Sequence, residues 1–588
     1  MAEVLRGTQD VGHHIFRPLK LYRTPLWQGK DGDSTQGYTA LVSRMAVAIT
    51  AIGLTSFIFK LIKNRLVFYN LRKQGLPIPS WNPILGNLPV MAQLPKLGPS
   101  DSRQSDLFAY FAAETKGLEA GFYVDVWPFG PPLLIVTSPT MAIEACQKHD
   151  LPKPTVVQPF INPMAGGTDN LFVANGARWK HSRDLFNHGF SMSASLSHMK
   201  CIVEEAQVYV RMLKERAQNG DTFLLDPLTC RYTMDIIGNI TLNTRFKFQE
   251  QFNPIAAAMR DTVEWECGIE TGGFLDRCNP LRFYRQWKNS RTMNHHIGIE
   301  LEKRYQEWRQ LEDDQMNKSS SPHGIRSIID IVLAEYMKNR TDKQETRLDP
   351  EFKKWATIQT RLFLFVGHDS EAATIIFTLY LLAKHPDALA KVRAEHDSVF
   401  GKTNESTAEI LVNHPETVNR LPYTHAVIKE TLRLFPPANG MREGLPGVSL
   451  RDEHGRLFPT EGFAIWIVHT AIQRNPAFWP RPHEFIPDRW LVEPGHSLYP
   501  PPGGWRAFEH GPRNCIGQNI STMAVKTTLA MIVRQFDFHD AYAELDALNP
   551  PKANEIKTMF EERAYMIQKG AGHPAQGFPC KVTLREGY

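Results

Sequence analysis

The chain has 588 residues, 42% of them apolar and 22% charged, which is enough to bury a large core. Its 67 basic and 62 acidic residues leave a net charge of +5, and no basic arm is interleaved with aromatics, which argues against nucleic acid as a partner. Seven cysteines, an odd number in a long chain without C-x-x-C or H-E-x-x-H, argue against a secreted disulfide framework and indicate no zinc site.

From Met45 to Phe59 the chain reads MAVAITAIGLTSFIF, with no charge and no proline. Those residues reach about 22 Å as a helix, and the wider Ala40–Ile62 about 34 Å, against roughly 30 Å of hydrocarbon core. Arg44 and Lys60 lie near the ends, where long basic side chains snorkel to the interface. An amphipathic or buried helix is the competing reading. A cleaved signal peptide is disfavoured by the polar chain ahead of the run. Lys60, Lys63, Arg65, Arg72 and Lys73 follow without an acid, whereas Lys30 and Arg44 are offset by Asp31 and Asp33. The positive-inside bias therefore puts everything after residue 60 in the cytosol. The expected division is a polar leader at 1–37, a single transmembrane anchor with its basic flank at 38–75, and a catalytic domain at 76–588. Leu76–Asn87, rich in proline, reads as a hinge between anchor and domain.

Phe122–Val126 and Leu133–Thr137 flank Pro128-Phe129-Gly130-Pro131-Pro132 and predict strand, turn and strand. Ser138-Pro139 predicts a helix start with serine as the cap. Mostly helical spacing follows, interrupted by a polar loop near Asp313–His323. Asp349-Pro350 is a cap followed by a first-turn proline, and no breaker comes before His385-Pro386, so a rod of about 50 Å is expected. A second helix runs from Pro422 to Phe435 and is stopped by Pro436-Pro437. A short β region spans Val448–Val468 and turns at Arg451–Gly455. The fold class is mainly α with a small β region.

Cys146, Cys201, Cys230, Cys267, Cys278 and Cys580 read as small buried hydrophobes. Cys515 stands apart, in Phe508-Glu509-His510-Gly511-Pro512-Arg513-Asn514-Cys515-Ile516-Gly517. A thiolate on the proximal side of a haem iron favours O–O cleavage. Cys515 lies where a glycine-containing turn meets a new helix, Ile516–Gln535, whose N–H groups and positive end are expected to lower the thiol pKa. Gly511 permits the tight turn, and Gly517 lets the helix approach a flat macrocycle. Arg513 is placed to pair with a haem carboxylate.

F-x-x-G-x-R-x-C-x-G, beginning at Phe508, resembles the haem-ligand signature of the cytochrome P450 superfamily. Further motifs occur in that family's order. Glu430 and Arg433 share a helix face at i, i+3, and Phe485-Ile486-Pro487-Asp488-Arg489-Trp490 resembles the segment supplying a second arginine. The resemblance implies a structural network of Glu430, Arg433 and Arg489 that fixes the loop before Cys515. Gly176–Arg183 resembles the W-x-x-x-R helix, so that Trp179 and Arg183 would hold a propionate, with Arg442 as another propionate partner or as an exposed arginine. On the long helix, Val366-Gly367-His368-Asp369-Ser370-Glu371 departs from (A/G)-G-x-(D/E)-T-(T/S). Asp369 and Ser370 still place an acid beside an alcohol, a relay for protons, while Glu371 points about 100° away around the helix.

This resemblance covers roughly residues 76–588 and implies a P450-like fold with heme b, its iron on Cys515. It further implies a monooxygenase that uses O2 and NADPH-derived electrons on a small hydrophobic substrate. About 70 residues follow Cys515, so the electrons are expected from a separate NADPH-cytochrome P450 reductase, with cytochrome b5 as a second donor. Lys526 and Arg534 are the expected docking cations. Substrate contacts are expected from 152–175, 250–290, Phe363–Gly367 and Ala438–Met441. The expected location is the endoplasmic reticulum membrane, single-pass, with a cytosolic catalytic domain. Trp505–Phe538 and Gly570–Cys580 look like filamentous-fungal members that oxidise secondary metabolites, often polyketides. The altered Ser370-Glu371 pair raises a rival, a haem-thiolate isomerase or dehydratase working without external electrons. A non-enzymatic haem-binding role is a third reading.

Overall fold

The computed structural model describes residues 34–266, 277–317, 327–340, 346–401, 404–550, 552 and 555–585. The expected leader therefore lies outside the described residues up to Asp33, as does Cys267. Helix α1 runs Ser34–Lys73, and Leu41–Lys73 within it is long and apolar enough to cross a membrane, with none of its most apolar window buried. Contacts divide the chain between Asn64 and Arg65.

From Arg65 onward α1 belongs to the larger unit. Arg65 forms a buried ion pair with Asp125 and donates to the Ile84 carbonyl at 2.9 Å. Trp81 Nε1 also donates to Asp125, at 3.0 Å. The proline-rich stretch is stitched down further on. The Tyr123 amide donates to the Pro77 carbonyl, and Asn87 donates to the carbonyls of Pro79 and Ser80. Leu76–Asn87 is thus an ordered arm laid on a sheet, not a hinge, because these polar contacts satisfy the backbone groups that proline leaves without helix or strand partners.

Strands β1 (Gly121–Val124) and β2 (Leu133–Val136) pair antiparallel with Phe122 opposite Ile135, as the turn sequence predicts. Ser138 caps the following helix by accepting from the Met141 amide at 3.1 Å. Then come α2 (Gly176–Asn187), the short strand β3 (Phe223–Leu224), α3 (Leu225–Leu242), α4 (Pro254–Glu264) and α5 (Pro280–Asn317). Of the polar loop expected near Asp313–His323, the part up to Asn317 is helical and belongs to α5, and the rest lies outside the described residues. Its polar residues favour helix as readily as loop when straight-chain types dominate.

Helix α6 (Pro350–Lys384) begins and ends where its caps predict, with Asp349 accepting from the Phe352 amide at 2.8 Å. It too is apolar enough for a span, but 83% of that window is buried, so it is the core rod of the molecule. Helix α7 (Pro422–Leu434) stops at the expected prolines. Strands β4 (Gly440–Glu443), β5 (Ser449–Arg451), β6 (Leu457–Pro459) and β7 (Ala464–Ile467) follow. The main sheet has the order β1-β2-β7-β4, with β2 and β7 parallel. Helix α8 (Gln518–Ile532), β8 (Phe536–Asp540), the hairpin β9 (Met566–Lys569) with β10 (Ala571–Pro574), and β11 (Pro579–Leu584) complete the chain. The architecture is mainly helical with small sheets.

The cysteines do not all behave as buried hydrophobes. Cys146, Cys230 and Cys580 are buried, but Cys201 is half-buried and Cys278 exposed. Cys201 sits on the helix Met199–Asn219 and Cys278 in the turn just before α5, where a small side chain is tolerated without packing.

Candidate active site

Cys515 sits at the end of a loop that is pinned before α8 begins. Its amide donates to the Phe508 carbonyl at 2.8 Å. Gly511 has φ 82°, and a Cβ there would collide with the Cys146 carbonyl, so the turn requires glycine. Arg183 on α2 reaches across to grip the residue before the cysteine, donating to the Asn514 carbonyl and to its Oδ1, both at 2.7 Å. Phe508 packs edge-on against Trp505. The Cys515 side chain is exposed, yet protein surrounds it closely enough to desolvate it. Burial pushes its thiol up, while the Gly517 N–H and Arg183 pull the other way. The expected lowering by the helix end is present in that N–H, but desolvation outweighs it together with the half-buried guanidinium.

The charges around this loop fit a haem. Arg442 on β4 is fully buried, not exposed. Its Nη1 donates to the Met441 carbonyl at 2.9 Å, while Nε and Nη2 have no hydrogen-bond partner among the described residues. A buried guanidinium in that state is costly until an anion meets it. Lys153 is pushed down to about 7 by burial and by Arg442. Arg513 is lowered to about 10 for the same two reasons. Two cations depressed by the charge of Arg442 suit, with it, the carboxylates of a haem. Arg513 also donates to the Ala174 carbonyl at 3.0 Å and to Asn175 Oδ1 at 2.8 Å, with its guanidinium 4.4 Å over the Trp179 ring. Cys515 would hold the iron, and Arg442, Lys153 and Arg513 the carboxylates.

Glu430, Arg433 and Arg489 are brought together and fully buried. Arg433 donates to both Glu430 oxygens at 2.9 Å, and Arg489 Nε donates to Oε1 at 3.0 Å. The Ile486 amide and Trp490 Nε1 complete five bonds to one carboxylate. Arg433 and Arg489 both lie near the face of Trp479, at 5.2 and 5.6 Å. Burial alone would raise the Glu430 pKa; the two arginines outweigh it and hold the carboxyl below its ordinary value.

Between Ala356 and Leu382, α6 is buried except at Val366, Gly367 and Ser370. These three positions form a partly exposed window in the middle of a buried helix. Gly367 is needed for packing as well, since a Cβ there would come within 2.5 Å of Ile237 on α3. Ser370 Oγ donates to the Val366 carbonyl at 2.8 Å, one turn back. Asp369 points elsewhere and is engaged. Its Oδ2 accepts from the Ala571 amide at 2.5 Å, and its Oδ1 lies 3.2 Å from His573 Nε2, 3.7 Å from His368 and 3.8 Å from Arg260. Burial would raise its pKa, but His573 outweighs that and the carboxyl stays lowered. Glu371 is buried with Oε1 unpartnered among the described residues, and burial raises its pKa well above the ordinary value, which favours the neutral form.

A cavity of about 110 Å³ is lined by Lys153, Val157, Phe160, Phe172, Ala438, Met441, Gln568 and Gly570. It draws on two of the segments expected to contact substrate, 152–175 and Ala438–Met441, and on a hairpin outside them. Neither 250–290 nor Phe363–Gly367 contributes a lining residue here, and 267–276 lie outside the described residues. A larger groove, about 550 Å³ between α2 and α6, shares no lining residue with it. Lys526 and Arg534 cannot serve as docking cations. Both are buried, Lys526 donating to the Val418 carbonyl at 3.4 Å and Arg534 to Asp397 at 3.2 Å. They lie on and just beyond the face of α8 that packs inward. The sequence assigns no role to Lys153, Asp226 or His573, nor to Trp490 within its motif. Pro152-Lys153-Pro154, a lone cation held between prolines, was the one local signal.

The cytochrome P450 family model matches residues 77–564. The chain is 36% identical over 548 residues to cytochrome P450 monooxygenase polC of Polytolypa hystricis, across 92% of this chain and 96% of the relative. It is 30% identical over 487 residues to cytochrome P450 monooxygenase acrF of Aspergillus aculeatus, across 79% and 94%. Among solved structures, the cytochrome P450DA heme domain has a TM-score of 0.63 over 87% of this chain and 98% of its own, at 20% identity, a likeness of fold. With its cysteine loop, its buried arginines and a matching span of this length, the chain belongs to the cytochrome P450 family, among the monooxygenases.

Proposed function

We propose that residues 76–588 form a haem domain that inserts oxygen from O2 into a small hydrophobic molecule, as a step in fungal secondary metabolism of a polyketide-like compound. Relatedness to the two fungal monooxygenases supports the setting. The observation that carries the chemistry is the accessible Cys515 thiol on a loop whose Arg513 feels the charge of the buried, half-unsatisfied Arg442. Bound heme b supplies the redox chemistry of O2 activation. The chain's own residues do the rest. Cys515 ligates iron as thiolate. Arg442, Lys153, Arg513 and the Trp179–Arg183 pair orient the macrocycle through its carboxylates. Phe160, Phe172 and Met441 exclude water from the substrate side. Ser370 moves a proton at its Oγ after releasing the Val366 carbonyl, and Asp369, turned toward His573, acts on it only through the shared helix. NADPH-derived electrons arrive from a separate reductase at the endoplasmic reticulum membrane, with α1 as the anchor.

The test is spectroscopic and then kinetic. Reduced protein under carbon monoxide shows the red-shifted Soret band of thiolate-ligated haem, and Cys515→Ser abolishes it. Product formation requires NADPH and reductase. Full turnover without either would reassign the chain to the haem-thiolate isomerases or dehydratases.

A further inference from the structure

The hairpin β9–β10 turns at Gly570, φ 80°, and its tip is a wall of the cavity, where Gln568 and Gly570 face Phe160, Phe172 and Met441. A two-stranded hairpin of this size is marginal on its own and takes its position from what it packs against. Here three polar contacts fasten it to two helices. The Ala571 amide donates to Asp369 Oδ2 at 2.5 Å. His573, fully buried, donates from Nδ1 to Asp226 Oδ1 at 2.6 Å, and its Nε2 stands 3.2 Å from Asp369 Oδ1. Asp226 lies in the first turn of α3, and Asp369 lies mid-way along α6. A Cβ at Gly570 would overlap Asp369 Oδ2, so tip and carboxylate are already in contact.

We propose that His573 is a positioning residue that, clasped between Asp226 and Asp369, sets the shape of the substrate cavity through the hairpin tip it holds. The proposal rests on the haem-enzyme reading of that cavity. The clasp is balanced from within. Asp226 and Asp369 face His573 and, from α4, Arg260. His368 on α6 is neutral, pushed down to about 4 by burial. Lys569 on β9 and the Cys230 thiol complete the charged and titratable groups around it, and burial holds that thiol far above its ordinary value. Although Asp226, Cys230 and His573 bring ligand-type atoms within 4.8 Å, their charges are met without a metal ion. Burial works against the charged imidazole, but Asp226 and Asp369 outweigh it and raise it to about 9. Asp369 is thereby tied to the hairpin while Ser370 lies in the partly exposed window.

Two azoles that ligate the haem iron separate this role from plain structural support. Imidazole needs little room; phenylimidazole must fit against the cavity wall. In full-length haem-loaded protein, His573→Gln and Asp226→Asn keep the carbon monoxide spectrum and bind imidazole within about twofold of the parent, whereas phenylimidazole affinity shifts by about tenfold. The double variant shifts no further than either single one, because both open the same clasp. Unchanged phenylimidazole binding in variants that retain haem would overturn the proposal. Should the variants fail to fold, the unaltered protein decides. Its ratio of phenylimidazole to imidazole affinity changes as pH rises through about 9, and a flat ratio across that range rejects the clasp. Neither azole reports on proton delivery, so this result and the Ser370 relay can fail separately.

Discussion

At the scale of single residues, Glu430 and Ser370 carry opposite kinds of prediction. Glu430 accepts five hydrogen bonds in a fully buried pocket shared with two guanidiniums. Glu430→Gln would leave both cations without their anion, at a cost of about 3–5 kcal/mol. Thermal unfolding and haem content should fall together. Ser370→Ala removes a hydroxyl that lies in the partly exposed window and donates only back along its own helix. It should leave haem and fold intact and divert NADPH electrons to hydrogen peroxide, read as the peroxide-to-NADPH ratio; an unchanged ratio discards the relay. The sequence made Glu430, Arg433, Arg489 and Cys515 legible because each lies in a short motif whose spacing implies its partner. It hid Lys153 and His573, whose partners come from segments hundreds of positions away. No periodicity records that Arg442 would be buried with two donors unmet.

At the scale of elements, boundaries set by local chemistry could be read in advance, and positions set by tertiary contact could not. Helix α6 runs from Asp349-Pro350 to His385-Pro386 because cap and breaker act within one turn. The Leu76–Asn87 arm was misjudged as a hinge because its restraints, Tyr123, Asp125 and Arg65, lie outside it. The hairpin β9–β10 depends on distant partners in the same way, and its main tie titrates. The His573 pKa is raised from its ordinary 6.5 to about 9 in the folded chain. A raised base contributes stability fully below the unfolded value, and that contribution is lost as pH climbs to the folded one. Unfolding free energy should therefore fall between pH 6.5 and 9, by up to about 3 kcal/mol from this group. Lys153, lowered to about 7, titrates in the same range, so the diagnostic quantity is the difference between parent and His573→Gln. That difference should shrink as pH rises and approach zero above pH 9; a constant difference would remove the charged clasp from the account.

At the scale of the whole molecule, the basic flank after the apolar run is two things at once. Lys60 and Lys63 fall in the stretch that orients an anchor by charge. Arg65, a few residues on, is buried against Asp125 and belongs to the larger unit. Charge counting alone cannot separate these roles, because both draw on the same residue types, and only the buried acid sixty positions downstream distinguishes them. Two changes should then have unlike effects. A chain that starts at Asn64 should leave the membrane fraction on cell breakage yet keep its haem and its melting temperature, since Arg65 and everything it touches remain. Arg65→Ala in the full-length chain should stay with the membrane but lose about 3 kcal/mol, because it takes the cation from a carboxylate that is itself buried. If the shortened chain unfolds, residues before Asn64 hold the haem domain together as well as tethering it; if Arg65→Ala is silent, Asp125 is held by Trp81 and its other neighbours alone.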